Sequence, residues 1–384
     1  MKTETVAGQP SWRIENDTVS ASVTHLGGMI APVEFRSDPA RPVSPYYVSP
    51  WQGETPPPEE PVLAPLRGDF FCLPFGAEST VNGRRYVTHG DTATRQWELV
   101  EDESGKTGET TTLTVRMRSA APAGEVIKRI SLRNGDPVVY NAHELTGFGV
   151  RAPLGHHATL AADPDAPLKI TTSPIRFGMT APGPEEPYGG GEYSALLPAS
   201  EFSSLESVPT RWKNIPDTDC SIFPAREGFV DIMAVFQRHP ESGEPTWVAA
   251  VSRNARFLWF SLKDPTVLPT TVLWMENLGR HQPPWNGRNR CIGLEDVCGY
   301  FAQGLAESVE TNALSERGIP TVIELTPDRK REIRYIQGAA PIPEGFGSVA
   351  SATFKDDRVV FSSPEGATVD VPVRWSYLFG EDPT

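Results

Sequence analysis

Arg290-Cys291-Ile292-Gly293-Leu294-Glu295-Asp296-Val297 is a short apolar run carrying carboxylates near its end. Apolar runs of this length fill sheets, and a carboxylate inside one is solvated, paired or put to chemical use. On an extended chain the side chains alternate, so Cys291, Gly293 and Glu295 share one face, while Ile292, Leu294 and Asp296 share the other. Glu295 therefore has small neighbours, which leaves room for a ligand beside it. The bland alternative is a carboxylate at a strand end facing water.

Outward from this run the chain keeps the habit of strands and turns. Its 384 residues include 38 prolines, about twice the usual share of ~5%, and long runs with helical spacing are almost absent. Ser11 to Arg36 reads as two strands around a Gly27-Gly28 turn or bulge. Thr55-Pro56-Pro57-Pro58-Glu59-Glu60 reads as a surface loop, too poor in N–H donors for a sheet interior. LRGDFFCLPFG and VTHGDTATRQWEL read as extended blocks separated by Asn82-Gly83, a hairpin signal. TTTLTVRMR and EVIKRISL read as paired strands, followed by a turn at Asn134-Gly135-Asp136. Residues 160–228, including APGPEEPYGGGEY, read as long loops over a sheet edge or mouth. VDIMAVFQ, TWVAAVS and ARFLWFSL restore the strand pattern, Tyr300 to Gly318 reads as a helix, and strands with a turn at Gly366 complete the chain. Turns recurring every dozen or so residues imply an all-β antiparallel sandwich, and no fixed-period repeat supports a solenoid or propeller.

Composition narrows the function classes. A formal net charge of −14 and the lack of a basic cluster exclude a phosphate-tracking nucleic-acid surface. No apolar run approaches the ~18 residues of a membrane span, and the first residues lack the apolar stretch of a signal peptide. Cys72, Cys220, Cys291 and Cys298 form no C-x-x-C pair, so free thiols in a reducing cytoplasm fit best. Phosphate loops, nucleophile elbows and dinucleotide fingerprints are absent.

A few residues carry possible chemistry. His89 precedes Gly90 in a strand-like run, where the missing side chain lets another group approach the backbone. His156 and His157 are adjacent, so on a strand at most one of them enters a given cleft. That spacing does not suit a metal, whose ligands on a strand sit at i and i+2, and no thiol completes a set. Arg67 and Asp69 flank Gly68, where a guanidinium binds hydroxyls or forms a strand-end salt bridge. Trp274 and Trp285 offer apolar faces to a sugar ring or fill the core.

Taken in order, THLGGMIAPVEF, LRGDFFCLPFG, HGDTATRQW, LGHHATL, VLWMENLG and CIGLEDV resemble the aldose 1-epimerase (galactose mutarotase-like) family over roughly residues 11–335. Its most specific element is His89-Gly90 followed by Trp97. The resemblance implies an all-β, large antiparallel β-supersandwich with few short helices and a concave sugar-binding face. Residues 1–337 would form the mutarotase-like domain, and residues 338–384 a C-terminal β extension packed on it. The resemblance further implies Glu295 as general base, His157 as general acid, and Arg67 and His89 as sugar contacts. Asp217 or Asp219 is the nearest match to the family's hydroxyl-gripping aspartate; His156, Trp274 and Trp285 complete the expected binding set. Two positions depart from the pattern: Asp296 stands where the family often has Pro, and LGHHATL lacks the usual aromatic after the histidine.

Interconverting sugar anomers needs a proton removed from the anomeric hydroxyl and one supplied to the ring oxygen, work for a carboxylate and an imidazole on opposite sides of the ring. Neither a cofactor nor a metal is called for. The expected partner is a small carbohydrate, with no nucleic acid and no membrane, and the chain is a monomer or homodimer. The alternatives are a non-catalytic carbohydrate-binding module on the same fold, or a related sugar isomerase or lyase.

Overall fold

A computed structural model describes residues 1–183, 186 and 188–383. Two large antiparallel sheets make the body of an all-β sandwich. The seven-stranded sheet runs, edge to edge, through Glu201–Phe202, Ile175–Thr180, Phe229–Gln237, Thr270–Asn277, Arg290–Cys298, Leu154–Ala161 and Phe71–Cys72. The ten-stranded sheet has Thr246–Ser252, Phe257–Lys263, Arg331–Pro341, Val138–Thr146, Ala123–Arg133 and Thr110–Ala120 as its successive central strands.

Period-two alternation sorts the side chains into layers. Ile292 and Leu294 join Ala158, Leu160 and Leu273 in the core between the sheets, where Leu113, Val126, Trp259 and Ile333 meet them from the other side. Cys291 and Val297 point the opposite way, with Val272 and Trp274, into a second cluster on the outer, concave face. Each fully buried aliphatic side chain contributes about 1.5–3 kcal/mol, so a one-residue slip of the 290–298 strand would forfeit several such terms and turn every side chain to the wrong layer.

Polar residues at interior positions pin that register. Asp296 receives hydrogen bonds from Thr271 Oγ1 at 2.6 Å, Ser261 Oγ at 2.7 Å and Tyr335 Oη at 2.8 Å, and pairs with Lys263 Nζ at 2.6 Å. Neither Asp296 nor Lys263 has any exposed side-chain surface. Asp296 is thus a buried anchor between the two sheets.

Several sequence expectations need correcting. Ser11 to Arg36 contains three strands, Gln9–Glu15, Val19–Thr24 and Ile30–Phe35, because Asn16 Oδ1 accepts the N–H groups of Thr18 and Val19 and turns the chain early. The span from His89 is a five-residue helix, Gly90–Thr94, rather than a strand. Tyr300 to Gly318 is not one helix: Leu305–Val309 is helical and Ser315–Arg317 is a 3₁₀ turn. Between them Asn312 Oδ1 accepts the Leu314 and Ser315 N–H groups and starts the chain afresh. Leu168–Thr172 and Ile175–Thr180 are strands of the two sheets within the stretch read as loops; part of APGPEEPYGGGEY lies outside the described residues.

A boundary at 337/338 cuts the Arg331–Pro341 strand, which pairs with Val138–Thr146 on one side and Phe257–Lys263 on the other. Gly338 is no break; a Cβ there would lie 2.6 Å from the Phe260 ring and 2.7 Å from Val138, so glycine makes room for its neighbours. Beyond it, Ser351–Lys355, Arg358–Ser362 and Thr368–Pro372 form a three-stranded sheet. Phe361 and Val371 pack with Tyr140, Phe260 and Ile336, on the face of the ten-stranded sheet turned away from the sandwich interior. Among the described residues no helix is long and apolar enough to cross a membrane.

Candidate active site

Glu295 and His157 are directly paired across neighbouring strands in the seven-stranded sheet. Both therefore point to the same face, and His157 Nε2 lies 3.2 Å from Glu295 Oε1. His157 Nδ1 lies 3.1 Å from Thr159 Oγ1, a residue on the same face of the same strand. The imidazole is thus held at both nitrogens, stacked against Phe70 at a centroid distance of 4.5 Å. The two groups touch one another, rather than standing a sugar ring apart as the expected chemistry placed them. They form one unit that a substrate must enter.

Gly293 has a definite job in this arrangement. A Cβ at 293 would lie 2.3 Å from Glu295 Oε1, so the space beside the carboxylate is filled by Glu295 itself rather than left for a ligand. Its backbone conformation accommodates alanine, a change that by itself stabilises a chain by about 0.4–1 kcal/mol. Gly293→Ala is therefore expected to keep the fold but displace the carboxylate, and any proton transfer that depends on the Glu295–His157 contact should slow about tenfold or more. Thermal melting alongside a turnover assay checks this, and unchanged turnover would show that the carboxylate position is not critical.

His89 completes the group, with its ring centroid 4.8 Å from that of His157. It adopts φ 57° at the start of the short helix, next to Gly90 at φ 76°. A Cβ on Gly90 would lie 2.0 Å from the Leu73 carbonyl oxygen, which explains why glycine follows the histidine. The Gly76 N–H donates to His89 Nδ1 at 3.4 Å, leaving the ring proton on Nε2. Burial, and then the charge of Arg280, pull its pKa down to about 3. His89 is thus a neutral hydrogen-bond donor.

These groups line a cavity of about 390 Å³ that also includes Trp274, Trp285, Glu192, Gln282 and Arg280. Arg280 was not singled out from sequence, yet it is the cation of the site. Its guanidinium carbon lies 5.3 Å from the Trp274 ring centroid and 4.9 Å from that of Trp285. Glu192 pairs with it at 2.8 Å and Glu276 at 3.7 Å. Its sequence offered no signal of its own, since Arg280 is one of three arginines, with Arg288 and Arg290, in the stretch before Glu295. Glu60, Val62 and Leu63 also reach the cavity, so the Pro-rich loop forms part of its wall.

Other expected contacts lie elsewhere. Arg67 is fully buried, donating to the carbonyls of Val6, Ala7 and Pro65 and to Gln52 Oε1. It clamps the N-terminal hairpin instead of contacting the cavity. His156 faces the sandwich interior, paired with Asp69 at 2.9 Å and stacked on Tyr335, as alternation from His157 requires. Asp217 is exposed on the Ile215–Thr218 strand, while Asp219 accepts hydrogen bonds from Ser221. None of these four residues lines the cavity.

Burial sets the electrostatics. It pushes the Glu295 carboxyl well above the usual carboxylate range, with the Arg280 charge opposing. Burial pulls His157 well below its usual value, and the neighbouring His89 and Arg280 act in the same direction. His143, in the interior beside Lys128, is lowered well below for the same primary reason. For a histidine kept neutral in the fold, the unfolded chain binds the extra proton first. Stability is thus lost as pH falls below about 6.5, by up to ~1.4 kcal/mol per pH unit for each such group. Between pH 6.5 and pH 5 the raised carboxyls of Glu295 and Glu276 act in the opposite sense, so the expected result is a difference between proteins: on acidification the urea midpoint of wild type should fall relative to that of His143→Gln. His89, pulled down to about 3, is neutral in the fold over the same window and acts in the same sense. A midpoint equally pH-dependent in His143→Gln would remove that residue from the account.

No family model and no curated protein matches the chain. Solved structures do. A galactose mutarotase-like protein from Clostridium acetobutylicum aligns over 89% of this chain and 98% of its own, with a TM-score of 0.59 and 10% identity. A galactose mutarotase related enzyme from Lactobacillus acidophilus covers 86% of this chain and 97% of its own, at TM-score 0.51 and 12% identity. The GalM/aldose epimerase homologue from C. elegans covers 87% and 100%, at TM-score 0.54 and 11% identity. At these identities the likeness establishes the galactose mutarotase-like fold.

Proposed function

We propose that this chain is an aldose 1-epimerase-like enzyme that interconverts sugar anomers. The observation that carries the reading is the Glu295–His157 contact of 3.2 Å on the wall of a cavity of sugar-binding size. With Nδ1–H directed to Thr159 Oγ1, one proton is shared between Nε2 and Oε1, and the pair is neutral overall. Such a pair holds one proton to give and one site to receive, the two things hemiacetal opening requires.

In the ring-opening direction Glu295 accepts the anomeric hydroxyl proton and His157 delivers the shared proton to the ring oxygen as the C1–O5 bond breaks. After rotation about C1–C2 the aldehyde recloses with the transfers reversed, so the pair returns to its starting state. His89 donates to a hydroxyl from its neutral Nε2–H, and Arg280 with Glu192 offers both donors and an acceptor at the cavity wall. Trp274 and Trp285 give the ring an apolar surface.

The direct test is α/β exchange of unmodified hexoses followed by NMR or polarimetry with purified protein. Acceleration above the buffer-catalysed rate is expected. The competing reading, a carbohydrate-binding module, predicts calorimetric sugar binding with no acceleration, and that result would displace the enzyme reading.

A further inference from the structure

The cleft continues past the acid–base pair. Glu192, Ile232 and Arg280 line both the first cavity and a second one of about 230 Å³. What the two cavities share is the Arg280–Glu192 ion pair and the Ile232 side chain. Register explains the continuity: Glu295 is opposite Val272, Trp274 is opposite Ile232, and these side chains share the concave face. Ile232 is two strands from Glu295 and two residues along from the position level with it, about 12 Å away by strand spacing and rise, farther than a single pyranose with its C1 at Glu295 reaches.

The second cavity has a mixed lining. Val230, Ile232 and Leu196 give it an apolar part, and Ser194 and Gln303 give it polar groups. Its charged residues, Arg211 and Arg280 against Asp231 and Glu192, cancel formally. Arg280 is already matched by two carboxylates, and Asp231 Oδ1 accepts the N–H groups of Ala195 and Leu196. No excess charge of either sign calls for an ionic ligand. An ion pair bordering both cavities offers donors and an acceptor to hydroxyls on either side.

We infer that the second cavity is a subsite for a neutral sugar ring, so that the preferred substrate is a reducing disaccharide or longer oligosaccharide. The reducing ring occupies the first cavity with C1 at Glu295 and His157, and the next ring lies beyond the Arg280–Glu192 pair. This rests on the anomer-exchange reading for the direction of the chain, but the subsite itself is tested by binding.

The experiment compares glucose and galactose with cellobiose, maltose, lactose and melibiose, by calorimetry and by NMR anomer exchange on the same protein. At least one disaccharide should bind, and turn over by kcat/KM, about tenfold or more better than its reducing monosaccharide. Ser194→Trp, filling the second cavity, should erase that ratio; Gln303→Trp, from a different loop, serves if the first variant melts early. Disaccharides no better than monosaccharides, or a preference surviving in the folded variants, overturn the subsite. Tighter disaccharide binding without exchange leaves the subsite standing and overturns the acid–base reading. Exchange without disaccharide preference does the reverse, and absence of any sugar binding or exchange overturns both.

Discussion

Glu295→Gln lowers anomer exchange by about 10²–10⁴-fold, the range expected when one member of an acid–base pair is removed. Gln keeps the shape and a hydrogen bond to His157 but can neither take nor release a proton. The same change should stabilise the protein at pH 7. Because burial raises the Glu295 carboxyl in the fold, the unfolded chain gives up its proton first, above about pH 4.3. Native stability then falls as pH rises towards the folded value. Gln removes that loss, so the variant's melting temperature should exceed wild type at pH 7 and converge with it near pH 4. Wild-type exchange rates in this variant would sink the assignment.

The pair also predicts the shape of the pH–rate profile. Only the state holding a single shared proton is active; a second proton on the imidazole blocks acceptance, and loss of the shared proton blocks donation. Burial lowers the first of these steps and raises the second, so the active state spans a wide window and the two limbs belong to the pair as a unit. The acid limb should lie below the ordinary histidine value of about 6.5. An acid limb above it would mean that the imidazole is not desolvated during turnover.

Lys263→Met destabilises the fold by about 3–5 kcal/mol, the usual consequence of stranding one charge of a buried pair. Asp296 would retain hydrogen bonds from Ser261, Thr271 and Tyr335, but its negative charge would lack a counter-ion between the sheets. Adding Asp296→Asn should recover a substantial part of the loss, because a neutral amide there needs hydrogen bonds rather than a cation. Urea titrations of the single and double variants form the cycle that measures this coupling. If the single variant loses less than about 1 kcal/mol, the pair does not anchor the strand. Since Asp296 follows Glu295, the single variant should also loosen the strand that carries Glu295 and reduce exchange beyond what the double variant does.

What could be read from sequence follows the range of the interaction that each reading needs. Alternation along residues 290–298 is local, and it separated Glu295 from Asp296 correctly: the first lines the cavity, the second is fixed between the sheets. The same rule left one of His156 and His157 for the cleft, and the ordered motifs led to the sandwich fold. Short-range turn chemistry was only partly legible, as Asn16 and Asn312 show: an Asn that turns the chain looks in sequence like any polar residue.

Destinations across the chain were a different matter. Arg67 resembles a sugar-binding arginine until its four acceptors, three of them on Val6, Ala7 and Gln52, are brought to it by the N-terminal hairpin and the loop at 52. Arg280 had no local mark of function, and gained it when Trp274, Trp285 and Glu192 converged on its guanidinium. By itself the sequence determined which side of a strand each residue occupies, because the backbone repeats every two residues wherever the strand lies. Only the tertiary structure decided what waits on that side, because sheet order sets the partners over separations that carry no periodic signal.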